Sequence, residues 1–355
     1  MADPIVQDWL GGLYSIYNLS GATFQDHMGV LFQVPDGTSI GGNAGAGGRL
    51  TLTTLVPVMT STVASVTTFF YTPYAGDRIS IYNGTNWKTF TFTELSNVTT
   101  ATTVGSAGPL AVANNTNYDM FVWDTSLGAT TAGTLALTRG PAWTDGTTRS
   151  AGTALVMQNG VLVNSVAITN GPAIKCGRYV GTVRSNGTAG IEWTYGTVAA
   201  NWGQAIHNVW NMYNRVTVAG QLGDSTDSWP YNAATPRAPN GNATARVSFV
   251  IGGTVSEDAI SATHSNRPLV GASTVAPTVA VALDSTSTIS GLAGFGNSAV
   301  ASTGFVQGSW NGTPGIGAHY VSAIEICSAA QTITFYGDAG APTFFQTGMS
   351  YLLRM

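Results

Sequence analysis

The chain has 355 residues, of which only 13 Lys or Arg and 17 Asp or Glu carry a formal charge. Charged residues make up 8% of the sequence, against about 25% in an ordinary soluble domain. The net charge of −4, without any run of Lys or Arg, argues against nucleic acid as a partner, and a hydrophobic content of 44% excludes a disordered chain. The surface must therefore consist of Thr, Ser, Asn and Gly, either hydrated or covered by identical copies.

The N-terminal part of the chain is predicted to be an arm that ends in a glycine-rich linker. Residues 41–48 contain five glycines, the composition of a linker. Residues 1–40 are too few to bury their own apolar groups. We predict that residues 1–48 form an arm that docks on another protein of an assembly, and packing on the chain's own body is the alternative. The candidate docking residues are Trp9, Leu10, Tyr14, Tyr17 and Phe32.

Neither a secretory signal nor a membrane span is predicted. The N-terminus lacks a basic start followed by an apolar run, and no stretch of about 18 apolar residues occurs. We therefore expect synthesis in a cytosol and no membrane insertion. Cys176 and Cys327 lie far apart without ligand-like neighbours, and we interpret both as small buried hydrophobes.

After the linker, short runs of alternating residues predict β-strands. The segments 79–82 and 87–92 predict a hairpin. A second hairpin is predicted over 155–163, where Asn159 and Gly160 suit a type I′ turn because both need a positive φ. Residues 118–123 are apolar on both faces at the end of their strand, which places that strand between packed layers.

One segment departs from the two-residue period of a strand. Ile206, Val209, Trp210 and Tyr213 have the i, i+3, i+4, i+7 spacing of a helix, and Asn201 is a possible N-cap. This spacing predicts one short helix of about three turns.

The C-terminal part returns to alternation, with turn clusters at the spacing of a sandwich or jelly roll. The sequence therefore predicts an all-β protein. It has an N-terminal docking arm and two β-sandwich or jelly-roll-like domains, at 49–215 and 216–355, with one short helix between them.

Catalytic residues are not evident, and we expect neither enzymatic activity nor a cofactor. The chain has four His and none of the familiar nucleophile, metalloprotease or nucleotide-binding motifs. We interpret His207 as a surface or capping residue. The pair Glu257 and Asp258 is interpreted as part of a solvated turn.

A cation site is a weak candidate in the polar segment 224–228. Asp224 and Asp227, with the hydroxyls between them, could supply oxygen ligands to Ca²⁺, which takes about six to eight. A turn stabilised by these side chains accounts for the same residues and is the favoured interpretation.

A glycan contact is a second candidate. Trp310 and Asn311 precede Gly312 in a segment expected to be a glycine-rich loop. An aromatic ring beside an amide satisfies both the apolar face and the hydroxyls of a hexose. Core packing is the alternative for most aromatic residues of the chain.

Segments such as 49–53, 71–74, 83–87, 140–143, 210–216 and 318–325 lie between about residue 49 and the C-terminus. With these segments, this part of the sequence resembles a module that recurs in tail-fibre and minor structural proteins of tailed bacteriophages. The resemblance implies a homotrimeric, β-rich fibre or spike of a virion, made in the host cytoplasm. It implies that the arm binds other virion proteins and that the C-terminal domain contacts a host cell-surface glycan or protein.

Two further functions remain open from the sequence. The first is a head fibre or capsid decoration protein, which differs in its docking site. The second is a tailspike that degrades glycans, which requires two carboxylates about 5 to 10 Å apart.

Overall fold

A computed structural model describes residues 45–103, 108–126, 134–255, 257–271, 275–296, 299–327, 332–339 and 345–355, and the backbone alone of 23–25 and 31–33. Within these ranges the protein is all-β. The short helical elements are two 3₁₀ turns, Ala151–Thr153 and Pro239–Gly241. Among the described residues no helix has the length and apolar character needed to cross a membrane. The predicted arm and most of the linker lie outside the described residues.

The described strands number 27 and are mostly short. Those of the first part of the chain are Thr23–Gln25 (β1), Leu31–Gln33 (β2), Gly48–Thr51 (β3), Val63–Val66 (β4), Thr68–Pro73 (β5), Arg78–Tyr82 (β6), Trp87–Thr91 (β7), Leu95–Val98 (β8), Asn117–Asp124 (β9), Leu135–Ala142 (β10), Leu155–Gln158 (β11), Val161–Asn164 (β12), Arg178–Arg184 (β13) and Ile191–Thr194 (β14). Those that follow are Val198–Ala199 (β15), Ala205–His207 (β16), Val209–Asn211 (β17), Thr217–Asp224 (β18), Ser228–Tyr231 (β19), Arg246–Ile251 (β20), Ile260–Val270 (β21), Pro277–Leu283 (β22), Gly294–Phe295 (β23), Val306–Gly312 (β24), Gly317–Cys327 (β25), Ile333–Tyr336 (β26) and Thr347–Arg354 (β27).

The strands and hairpins predicted in the middle of the chain are confirmed. Strands β6 and β7 pair antiparallel, as do β11 and β12. The turn between β11 and β12 has positive φ at both central residues, 50° at Asn159 and 83° at Gly160, as a type I′ turn requires. Every residue of β9 is buried, in agreement with a strand between packed layers.

Two seven-stranded sheets form the largest part of the fold. One, here called the facing sheet, has the order β23-β22-β25-β20-β16-β14-β4. The other, here called the groove sheet, has the order β15-β18-β27-β21-β26-β19, with β24 paired to β21. A six-stranded sheet contains β10-β9-β13-β12-β11 with β17 on β13, and β3-β5-β8 form a three-stranded sheet.

The facing sheet and the groove sheet share one hydrophobic core, as in a β-sandwich. Phe249 and Ala323 of the facing sheet belong to the same buried cluster as Met349 and Leu353 of the groove sheet. Strands β4, β14 and β16, which precede residue 216, belong to the facing sheet, and β16 pairs in parallel with β20, which follows residue 216. Both sides of residue 216 thus contribute to one sheet, and the domain boundary near this residue stays a prediction.

The helix predicted over residues 201–213 is wrong. The segment forms two short strands, β16 and β17, that pair with different sheets. Asn201 and Trp202 both have a φ of 63°, which is incompatible with a helix start. Because Val209 and Trp210 are both fully buried, the chain has apolar residues on successive positions, and this pattern imitated helical spacing.

The interpretation of His207 as a surface residue is also wrong. Its ring is fully buried, and its Nε2 lies 3.0 Å from the Tyr351 hydroxyl of the groove sheet. Trp193 packs edge-on against the ring at 4.4 Å between centroids. Burial lowers the pKa of His207 from 6.5 to about 3, and it lowers the pKa of His264 to about 4. Both rings are therefore neutral in the folded protein at neutral pH.

We predict that acid destabilises the protein through His207. Because the pKa is lower in the folded state, the unfolded chain binds more protons below pH 6.5, so the free energy of unfolding falls as the pH drops from 6.5 towards 3. Replacing His207 by Phe removes this contribution. The measurement is the difference in unfolding free energy between pH 7 and pH 4.5, which should be smaller in the variant, and an equal difference in both proteins would contradict the buried, neutral ring.

Asp258 and the two cysteines also lie inside the fold. Asp258, expected in a solvated turn, is buried and accepts hydrogen bonds from the Trp210 indole at 2.9 Å and from Arg215 at 2.6 Å. Cys176 and Cys327 are both buried, which confirms their interpretation as small buried hydrophobes. The chain therefore uses some of its few charges inside the fold.

Candidate functional site

Most of the predicted docking residues lie outside the part of the chain that the structure describes. Trp9, Leu10, Tyr14 and Tyr17 lie outside the described residues. Phe32 belongs to β2, which pairs with β1 in a small hairpin, but only its backbone is described. Docking through the arm stays a prediction.

In the structure, hydrogen bonds to the Asp224 side chain hold the polar segment 224–228 in a turn. The Asp224 carboxylate is fully buried and accepts hydrogen bonds from the Asn201 amide at 3.0 Å, from the Thr226 amide at 2.8 Å and from Asn240 Nδ2 at 3.1 Å. Asp227 is exposed. Within the described ranges, no group of three or more His, Cys, Asp or Glu is placed to hold a metal ion.

The predicted glycan residues Trp310 and Asn311 lie in a strand, not in a loop. Both belong to β24, where successive side chains point to opposite faces. Trp310 pairs with the buried Ala262 and packs against the core, whereas Asn311 pairs with Ser261 on the outer face and is exposed. The strand therefore separates the two residues that the sequence suggested would act together.

The outer face of the groove sheet carries neutral hydrogen-bonding side chains in register. Along β21, burial alternates so that Thr263 and Ser265 point outward. Thr263 lies opposite Ser350 of β27, which lies opposite Gln221 of β18. Because neighbouring strands are about 4.8 Å apart, these three side chains form a row of hydroxyl and amide groups across the sheet. Such groups donate and accept hydrogen bonds without a charge.

This face forms the floor of an open groove with a volume of about 440 Å³. Gln221, Thr263, Ser265 and Ser350 are among the residues that line it. A volume of this size lies within the range of about 300 to 1,000 Å³ seen for small-molecule sites.

Two exposed phenylalanines stand at one end of the groove. Phe305, just before β24, is 69% exposed, and Phe345, just before β27, is 55% exposed, and both line the groove. Large aromatic side chains normally contribute their apolar area to a core or an interface. Two such rings beside a polar floor are arranged to contact a ligand that has both apolar and hydroxyl surfaces.

Arg267 lies between these two phenylalanines, and among the described residues that line the groove it is the one with an ionisable side chain. The antiparallel register of β21 and β24 continues to a bridge between Leu269 and Thr303, which places Phe305 opposite Arg267. On the other side, Arg267 Nη1 donates to Gln346 Oε1 at 2.5 Å. The guanidinium also lies 5.5 Å from the centre of the Tyr336 ring. These contacts fix a single cation at the aromatic end of the groove.

The groove could not be recognised from the sequence alone, although part of its signal is present in β21. The strict alternation of β21 marks Thr263, Ser265 and Arg267 as one outward face. The partners Gln221 and Ser350 are distant in sequence, and only the strand register shows that they are neighbours.

No family model matches the chain, and no curated protein matches it.

Proposed function

We propose that this protein is a structural protein of a bacteriophage virion, a tail fibre or receptor-binding appendage that attaches the particle to a glycan on the host surface. The observation that carries the proposal is the groove of about 440 Å³ on the outer face of the groove sheet. Its exposed aromatic rings and its hydroxyl and amide floor match the two kinds of surface that a sugar presents.

The chemistry of the groove supports binding of a sugar. The C–H faces of a pyranose ring are apolar and pack on Phe305 and Phe345, while its hydroxyls exchange hydrogen bonds with Gln221, Thr263 and Ser350. Pockets of this kind combine apolar contacts with a few placed polar groups that fix the orientation of the ligand. The part of the groove lining that the structure describes contains no carboxylate, so the groove supports attachment, and degradation of a glycan has no support from it.

For the assembly of the virion, the proposal is that residues 1–48 anchor the protein to other virion proteins and that three copies form the fibre. The support is the sequence resemblance together with a chain that is all-β and carries only 8% charged residues. Neutral faces meet copies of themselves without the cost of burying unpaired charges.

Attachment through the groove predicts a large effect of removing its aromatic end. The double substitution Phe305→Ala and Phe345→Ala should weaken binding to isolated host surface polysaccharide by about 100-fold, at about 1.4 kcal/mol for each lost aromatic anchor. The measurement is biolayer interferometry on immobilised polysaccharide with the full-length protein.

The matched control is Phe295→Ala, because Phe295 is 73% exposed and does not line the groove. This variant should bind as the unchanged protein does. Both variants should melt at nearly the same temperature as the unchanged protein, since exposed side chains contribute little to stability. Undiminished binding by the double variant would show that attachment, if it occurs, uses another surface.

A further inference from the structure

We infer that the groove binds a sugar that carries a carboxylate, and that Arg267 recognises this carboxylate. The inference rests on the proposed glycan attachment and specifies its ligand. It comes from the one charged side chain among the described residues of the groove and from how that side chain is held.

Arg267 is held in place by neutral groups. Among the described residues, its guanidinium makes one hydrogen bond, from Nη1 to the amide oxygen of Gln346, and has no carboxylate within ion-pair distance. In contrast, Arg149, Arg215 and Arg237 each pair with an Asp or Glu. The cation at the end of the groove therefore keeps its charge available for an anion from outside.

The position of Arg267 suits a planar anion. Nη1 is engaged by Gln346, which leaves the edge formed by Nε and Nη2 to a ligand. This edge offers two parallel N–H donors, the geometry that binds a carboxylate through both of its oxygens. A carboxylate carries one negative charge, which one arginine balances.

The surroundings of Arg267 define the rest of the ligand. Phe305 lies directly across the strand pair, and Phe345 precedes the residue that holds the guanidinium. Towards the other end, Ser265 and then Thr263 follow on the same face of β21. A sugar acid seated on the phenylalanines therefore places its carboxylate on Arg267, and the neighbouring sugars of the chain extend over the hydroxyl and amide row.

The test uses a glycan array on which sialylated and uronic-acid-containing oligosaccharides are printed beside their carboxyl-reduced or desialylated counterparts. The full-length protein is compared with Arg267→Gln, Arg267→Lys and the control Arg78→Gln, an exposed arginine of β6. We expect the unchanged protein and Arg78→Gln to prefer acidic members by about 10- to 100-fold, the range of a charge-assisted bidentate contact.

Arg267→Gln should lose this preference while it keeps binding to the neutral counterparts, and Arg267→Lys should restore part of it. A preference for acidic members that survives Arg267→Gln overturns the inference. Binding confined to neutral members, and sensitive to Phe345→Ala, also overturns it but leaves the proposed function standing. Binding to no member contradicts both.

Discussion

Replacing Arg139 by Met should lower the free energy of unfolding by about 3 to 5 kcal/mol, because buried acceptors then lose their donors at about 1 to 3 kcal/mol each. The Arg139 side chain is fully buried in the six-stranded sheet. Its guanidinium donates to Asn97 Oδ1 at 2.7 Å and to the main-chain oxygens of Val98, Ala101 and Leu110 at 2.6, 2.5 and 2.9 Å. It thereby connects β10 to the end of β8 and to the segment that follows β8.

Methionine fills a similar length without any donor, so the experiment isolates the hydrogen bonds. The measurement is urea-induced unfolding followed by tryptophan fluorescence. Arg78→Met is the control, since Arg78 is exposed and a substitution there should change stability by less than about 0.5 kcal/mol. Equal unfolding midpoints for Arg139→Met and the control would contradict the buried network.

Asp119→Asn is expected to destabilise the protein by a similar amount, about 3 to 5 kcal/mol, because it leaves a mostly buried arginine without its counter-ion. The Asp119 carboxylate accepts two hydrogen bonds from Arg149, at 2.7 and 2.9 Å, and one from Thr182 at 2.7 Å. Arg149 also donates to the Gly253 carbonyl and lies 4.2 Å from the centre of the Trp143 ring. The ion pair thus joins β9 of the six-stranded sheet to the turn that follows β20.

The control for this variant is Glu257→Gln, which weakens an ion pair on the surface. Glu257 lies 3.5 Å from Arg215 and its side chain is 52% exposed, so its loss should cost about 0 to 1 kcal/mol. Chemical denaturation of the two variants side by side measures the difference. If both variants unfold at the same denaturant concentration, the Asp119–Arg149 pair does not have the buried role described here.

These buried pairs show where part of the chain's small number of charged residues lies. Arg49, Arg139 and Arg178 are buried, and Asp119, Asp258 and Glu325 are buried beside arginines. The chain therefore places several of its few charges inside the fold, and its outer surface is more neutral than the composition alone implies. Against this background a groove with one externally available arginine stands out.

Local signals were sufficient for the hairpins and strands. The Asn159–Gly160 turn and the alternation of its flanking strands are set by neighbouring residues, so the sequence alone predicts them. The prediction of a helix over 201–213 failed for the opposite reason. The strands of this segment are stabilised by partner strands that are distant in the sequence; Trp210, for example, pairs with Thr182. The helical spacing of its apolar residues carried no information about those partners.

The candidate groove was not predicted from the sequence. Asn311, a candidate for glycan contact, lies on the outer face that contains the groove but is not among the described residues that line it, and Trp310 points the other way, so glycan contact through these two residues stays a prediction. The groove depends on the register of three strands whose residues Gln221, Thr263 and Ser350 are far apart in the chain. No spacing in the sequence could bring them together, because strand order in this sheet does not follow chain order.

The most direct test of the central proposal is competition for adsorption of the intact phage particle to its host cells. Purified full-length protein, added in excess, should occupy the surface glycan and block adsorption, whereas the protein with Phe305→Ala and Phe345→Ala should not. Adsorption that continues unchanged in the presence of the unaltered, folded protein would contradict a role in host attachment.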